Sequence, residues 1–96
     1  MTVLTFERFP VDPSNHERFH QLVDGLVSSM RNAPGCLWSD AARAGDDDPS
    51  VIVLAEWRTE ADADAWDARS DVAAFAADAD PLLRGETTRR RFSSAT

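Results

Sequence analysis

Residues 51 to 57 read VIVLAEW, and this run constrains the fold more than any other part of the chain. Side chains on a strand alternate between two faces, so a half-exposed strand alternates apolar with polar residues. Here Val51, Ile52, Val53, Leu54 and Ala55 follow one another without a break, and both faces of the strand must leave water. A chain of 96 residues has little material for two covers. What covers the second face decides the architecture, the oligomeric state and where a pocket can form.

The length implies one domain near the lower end of what folds on a single core. It is expected over residues 1–92, with 93–96 a frayed tail. Apolar and charged fractions, 43% and 28%, are those of a globular protein. No apolar run approaches the ~20 residues of a membrane span, and no signal pattern opens the chain. The single cysteine, Cys36, cannot form an internal disulfide, so a reducing, cytoplasmic setting is expected. Formal charge is −7, which argues against a nucleic-acid partner because that affinity is built on phosphate neutralisation. The arginines at 89, 90 and 91 are the one basic patch. They are expected to be solvated or to pair with acids across a dimer.

Residues 2 to 9 read as a first strand, ended by Pro10 and Pro13. Phe19, Leu22, Val23, Leu26, Val27 and Met30 fall at helical spacing, on one face of a helix running to about Asn32. Gly25 inside that helix predicts close packing. Asn32-Ala33-Pro34-Gly35 stops it. A second strand over 36 to 43 and the opening run form a hairpin across Gly45-Asp46-Asp47-Asp48-Pro49. Thr59 with Asp62 predicts a helix start, followed by a short helix carrying Ala65 and Trp66. Ser70 is expected to cap another helix, with Val72, Phe75, Ala76 and Ala79 at helical spacing. A last strand covers 86 to 92.

The order strand, helix, strand, strand, helix, strand is the split β-α-β arrangement of an α+β, ferredoxin-like domain with a four-stranded antiparallel sheet. Both helical segments lie on one side, and nothing remains for the other. Leaving Ile52 and Leu54 in water forgoes about 1.5–3 kcal/mol each. A second copy is the expected cover, giving a homodimer joined through its sheet faces.

With that architecture in place, three motifs carry a resemblance: RFPVDP ahead of the first helix, NAPGCLW entering strand two, and LAEWRTEADADAW leaving strand three. They resemble the antibiotic biosynthesis monooxygenase family, dimeric α+β barrel proteins. The resemblance implies oxidation of aromatic polyketide anthrones by O₂ with no metal, flavin or haem, in a cavity between sheet and helices. Trp57 matches the family's tryptophan at the end of strand three. The accompanying asparagine is Val53 here, a histidine late in strand two is Ala42, and a tyrosine falls near Ala63. In the haem-degrading branch Trp66 matches the tryptophan that distorts the macrocycle. That branch's first-strand asparagine is Phe6, and its haem-ligating histidine falls at about Ala76 or Ala77, so no haem is expected.

The expected slot is therefore aromatic. Trp57, Trp38 and Trp66 would hold the ring system, with Trp38 a second wall on the Trp38-Asp40-Ala42 face, and Val53 and Phe6 at the family's asparagine positions. His16 and His20, four residues apart in the first helix, are the first choices for a general base, because imidazole titrates near neutrality. Asp40 is the reserve. The histidine spacing suits a metal, but spacing offers no third ligand, and none is expected. The alternative is a binding or accessory dimer that holds an aromatic metabolite without transforming it. A lactone isomerase or cyclase on the same barrel is a third reading.

Overall fold

The computed structural model describes residues 1–95. Strand β1 (Val3–Phe9) leads through a 3-10 turn, Pro13–Asn15, into helix α1 (His16–Arg31). Strands β2 (Cys36–Gly45) and β3 (Asp48–Trp57) form the expected hairpin. Helices α2 (Glu60–Asp67) and α3 (Ser70–Ala79) follow, and a 3-10 turn at Asp80–Leu82 leads towards β4 (Thr88–Ser93). The sheet is antiparallel throughout, in the order β2-β3-β1-β4. This is the ferredoxin-like α+β architecture read from the sequence.

The alternation of β3 is that of a strand with one covered face. Val51, Val53, Ala55 and Trp57 are buried, while Ile52, Leu54 and Glu56 on the other face are half-buried. Opposite the buried set α1 presents Phe19, Val23, Leu26, Val27 and Met30, the expected stripe less Leu22. Phe9, Phe19 and Phe75 meet edge to face or tilted, with ring centroids 5.4 to 6.1 Å apart. No helix among the described residues is long and apolar enough to cross a membrane.

Local signals held where hydrogen-bond chemistry fixed them. Thr59 caps α2, its hydroxyl accepting from the Asp62 N–H at 3.1 Å and donating to the Asp62 carboxylate at 2.9 Å. Gly35 has φ +82°, and a Cβ there would lie 2.2 Å from the Asp62 side chain. Only glycine meets both demands.

Other expectations are corrected. Pro49 lies inside β3 rather than in a turn; it falls before Val51, where pairing with β1 begins, so its missing N–H leaves no gap in that ladder. Helix α2 carries Ala65 and Trp66 as expected, but its buried residues are Ala63 and Trp66. Ser70 is the first residue of α3 and Arg69 the cap position. Gly25 is not closely packed, since a Cβ there would meet nothing within 4 Å. Past the expected boundary at 92, Ser93 ends β4 and the Ser94 N–H donates to the Thr2 carbonyl at 2.8 Å. Of the expected tail, Thr96 lies outside the described residues.

Candidate functional site

Strand register decides which side chains share the covered face. Val3, Thr5, Glu7 and Phe9 of β1 stand opposite Trp57, Ala55, Val53 and Val51, so they are in the covered phase. Thr5 pairs with Arg91 and Glu7 with Arg89, which brings those two arginines to the same side of β4. Helix α2 closes over them with Ala63, Trp66, Asp64 and Asp67. Polar and aromatic groups thus meet beneath the β1–β4 half of the sheet.

At its floor Trp57 is 1% exposed and its indole lies 5.9 Å from that of Trp66, tilted by 32°. The Trp57 Nε1–H donates to Thr5 Oγ1 at 3.1 Å, so burial leaves no orphaned donor. Arg69 lies over the Trp66 ring, 4.8 Å from its centroid. Around the floor runs an ion-pair network. Arg89 contacts Glu7 at 3.2 Å and Asp67 at 2.9 Å, and Arg91 contacts Asp64 and Asp67, both at 2.7 Å.

Two chambers border this network. The smaller, about 40 Å³, is lined by Thr5, Val53, Trp57, Trp66, Asp67 and Arg91 among others. The larger, about 240 Å³, lies between the sheet and α3 and is lined by Phe9, Ala76, Ala79, Leu83 and Thr87. Glu7 and Arg89 line both, and form the partition between them. Burial pushes the Glu7 carboxyl above its ordinary range; Arg89 opposes that and the nearby Asp67 charge adds to it. Hydrogen bonds that Arg91 donates to Asp64 and Asp67 hold it more firmly as a cation.

Of the residues expected at the site, Trp57, Trp66 and Val53 are brought together here. Trp38 is not. An irregularity between Cys36 and Trp38 shifts the register, so that Trp38, Asp40 and Ala42 pair with Glu56, Leu54 and Ile52 in the outward phase. Trp38 is 44% exposed there and donates Nε1–H to Glu56 at 2.9 Å. Phe6 borders the small chamber but pairs with Leu54, also in the outward phase. Asp40 is exposed, 3.5 Å from Arg31 at the outer edge of β2.

Neither histidine reaches the chambers. The buried stripe of α1 faces the core, and His16 and His20 are turned towards β2, their rings stacked at 5.8 Å. His16 Nε2 lies 3.0 Å from the Arg43 guanidinium, in a surface depression with Asp46, Asp47 and Arg84. His20 lines a separate one with Asp24, Arg31 and Asp40. Among the described residues no three His, Cys, Asp or Glu side chains gather as a metal site.

Thr5 and Glu7 line the candidate site and were missed by sequence reasoning, which singled out Arg89 and Arg91 but not their partners. The arginines are neither simply solvated nor in need of acids across a dimer, because α2 of the same chain supplies those acids. A signal for this was present. Glu60, Asp64 and Asp67 fall at helical spacing, and Arg89 and Arg91 at strand spacing, so each set shares one face.

The chain matches the family model for antibiotic biosynthesis monooxygenase over residues 2–78, and it belongs to that family. Solved structures agree in fold. A protein from Caulobacter crescentus CB15, described as a putative antibiotic biosynthesis monooxygenase, superposes with TM-score 0.92 at 17% identity, covering 99% of this chain and 91% of its own. Rv0793 from Mycobacterium tuberculosis gives TM-score 0.90 at 17% identity over 100% and 97%. A mutant of SnoaB, a cofactor-independent oxygenase from Streptomyces nogalater, gives 0.85 at 17% over 99% and 94%. No curated protein matches the sequence. At these identities the likeness to solved structures is one of fold.

Proposed function

We propose that this protein is a cofactor-independent monooxygenase acting on an aromatic, polyketide-type molecule. The observation that carries the reading is the buried Trp57–Trp66 pair beside a carboxylate–guanidinium partition. A flat indole surface suits a fused-ring ligand. Charged groups fixed beside that surface stabilise charge that develops on the ligand. Family membership and the fold shared with an oxygenase that uses no cofactor support the same chemistry.

The reaction balances without an added reductant. A methylene between aromatic rings loses a proton, and the carbanion gives an electron to O₂. The resulting radical pair recombines to a peroxide, which loses water to leave a ketone: R₂CH₂ + O₂ gives R₂C=O + H₂O. Pockets for ligands of drug size run to about 300–1,000 Å³. A tricyclic ligand therefore needs the space of both chambers and of the Glu7–Arg89 partition between them, so binding requires that partition to move aside.

The dimer belongs to the same proposal. Leu4, Phe6, Ile52, Leu54, Trp38 and Phe92 share the outward face, and no segment among the described residues covers it. A second copy pressed face to face removes them from water. Sedimentation at micromolar concentration is expected to show a dimer; a well-folded monomer overturns this part.

Anthrone oxidation under air by purified, metal-free protein tests the activity. Trp57→Phe, which removes the donor to Thr5 and narrows the aromatic floor, is expected to slow turnover at least tenfold. Wild-type turnover no faster than buffer removes the enzyme. One observation favours a second reading, a binding protein: the chamber's polar groups are already paired with one another. Tryptophan fluorescence quenched by anthrone with no product formed decides for it.

A further inference from the structure

We infer that Glu7 is the catalytic base, the group that takes the proton from the substrate's methylene carbon, and that the histidines have no part in that step. The inference rests on the oxygenase reading above and adds to it the identity of the proton acceptor.

Glu7 is the carboxylate that borders both chambers, so a ligand spanning them passes its oxygens. Its side chain is 26% exposed. The other acids near the chambers are placed differently. Asp67 accepts from Arg89 and Arg91 together, and Asp64 accepts from Arg91 on the more exposed side of α2. Asp80 lines only the larger chamber. Arg89 is shared between Glu7 and Asp67, so it neutralises neither acid fully. Within β1, Val3 and Phe9 are apolar and Thr5 is engaged with Trp57, which leaves Glu7 as the strand's proton acceptor.

The step is a simple transfer. The C–H bond breaks, its proton passes to a Glu7 carboxylate oxygen, and the electron pair stays on carbon, spread into the flanking rings. Arg89 keeps Asp67 as partner while Glu7 is protonated, so no cation is stranded. The neutral carboxylic acid is then placed to return its proton to the peroxide formed with O₂, restoring the base. Burial favours this cycle, because a desolvated carboxylate is a stronger base than one in water.

The test separates proton transfer from oxidation. Anthrone in D₂O under nitrogen is incubated with wild type, Glu7→Gln and Glu7→Asp, and deuterium entering the methylene is read by mass spectrometry. Anthrone binding is followed in parallel by tryptophan fluorescence. Wild type is expected to exchange well above the buffer rate. Its rate should rise with pH through the raised pKa of Glu7 and then level off. Groups facing that titration are Arg89 and Arg91 on β4, Asp67 on α2 and Asp80 beyond α3. Glu7→Gln should bind anthrone within a few-fold of wild type, exchange roughly 10²-fold or more slowly, and lack the pH-dependent limb. Glu7→Asp should keep the limb at reduced rate.

Equal exchange by wild type and Glu7→Gln overturns the assignment and leaves the oxygenase reading standing. Exchange no faster than buffer in wild type overturns both. Where the glutamine variant loses anthrone binding, the wild-type profile decides, and a rate flat with pH overturns the assignment.

Discussion

The two halves of the covered sheet face are built from the same strands and end up unlike. Beneath β2 and β3, α1 lays sixteen residues with a full apolar stripe, and its buried side chains fill the space. Even the polar Ser39 is absorbed there, 4% exposed with its hydroxyl on the Met30 sulfur at 3.0 Å. Beneath β1 and β4 the cover is two short helices rich in alanine, and two chambers and an ion-pair network remain. Helix length and side-chain volume make the difference. One half is a core, and the other keeps open chambers.

Truncation on the filled side should have the largest effect. Phe19 is fully buried and touches both Phe9 and Phe75. Phe19→Ala is expected to cost about 3–5 kcal/mol in urea unfolding, most of the stability of a small domain. A cost below about 1 kcal/mol would mean the two halves are packed alike, and the contrast fails.

Filling the open side should act on ligand and spare the fold. Ala76 borders the larger chamber beside Glu7 and is exposed. Ala76→Leu is expected to change stability by less than about 1 kcal/mol, since the added carbons enter empty space. Anthrone binding, read by tryptophan fluorescence, should weaken at least tenfold, about 1.4 kcal/mol. Unchanged affinity places the ligand elsewhere.

The two halves also differed in how legible they were. The filled half follows from patterns that a sequence displays: the helical stripe of α1 and the placement of Val51 and Ala55 on one face of β3. The open half is defined by what is missing. Ala76 and Ala79 read as ordinary helix formers, and nothing in their spacing announces a chamber. Trp38 was misplaced because an irregularity after Cys36 leaves no mark in an alternation count, yet it reverses which face a tryptophan takes. The histidines stood out because imidazole is a common general base, whereas Glu7 owes its place beside both chambers to strand register. Fold rests on periodicity, and a site of this kind rests on long-range register.

On the filled side, α1 carries a weakness that its cover does not need. Gly25 lies on the helix surface, and a methyl there meets nothing. Gly25→Ala is expected to raise stability by about 1 kcal/mol from helix propensity alone, roughly 4–8 °C in Tm for a domain of this size. A loss of stability would show that the groove between α1 and α3, which Gly25 borders with Leu22, Phe75 and Asp78, is occupied in solution.

The smallest effect is one of slope, and it contrasts the site with the molecule's surface. Asp48, at the hairpin, accepts from the Ser50 hydroxyl and N–H and pairs with Arg8, and these hold its carboxyl down to about 2. Its contribution is present above the unfolded value near about 3.9 and is lost as pH falls through about 2. Glu7 has the opposite sign. With its pKa raised in the folded state, the folded chain binds more protons than the unfolded one from about pH 4 upward. Stability from this group therefore declines as pH rises through that window. The difference in stability between Glu7→Gln and wild type should move in favour of the variant over the same range, then hold constant above it. Asp48→Asn should show the reverse, costing stability at neutral pH and converging on wild type in strong acid. A Glu7→Gln difference that does not change with pH would put Glu7 in water, and the open half would then be surface.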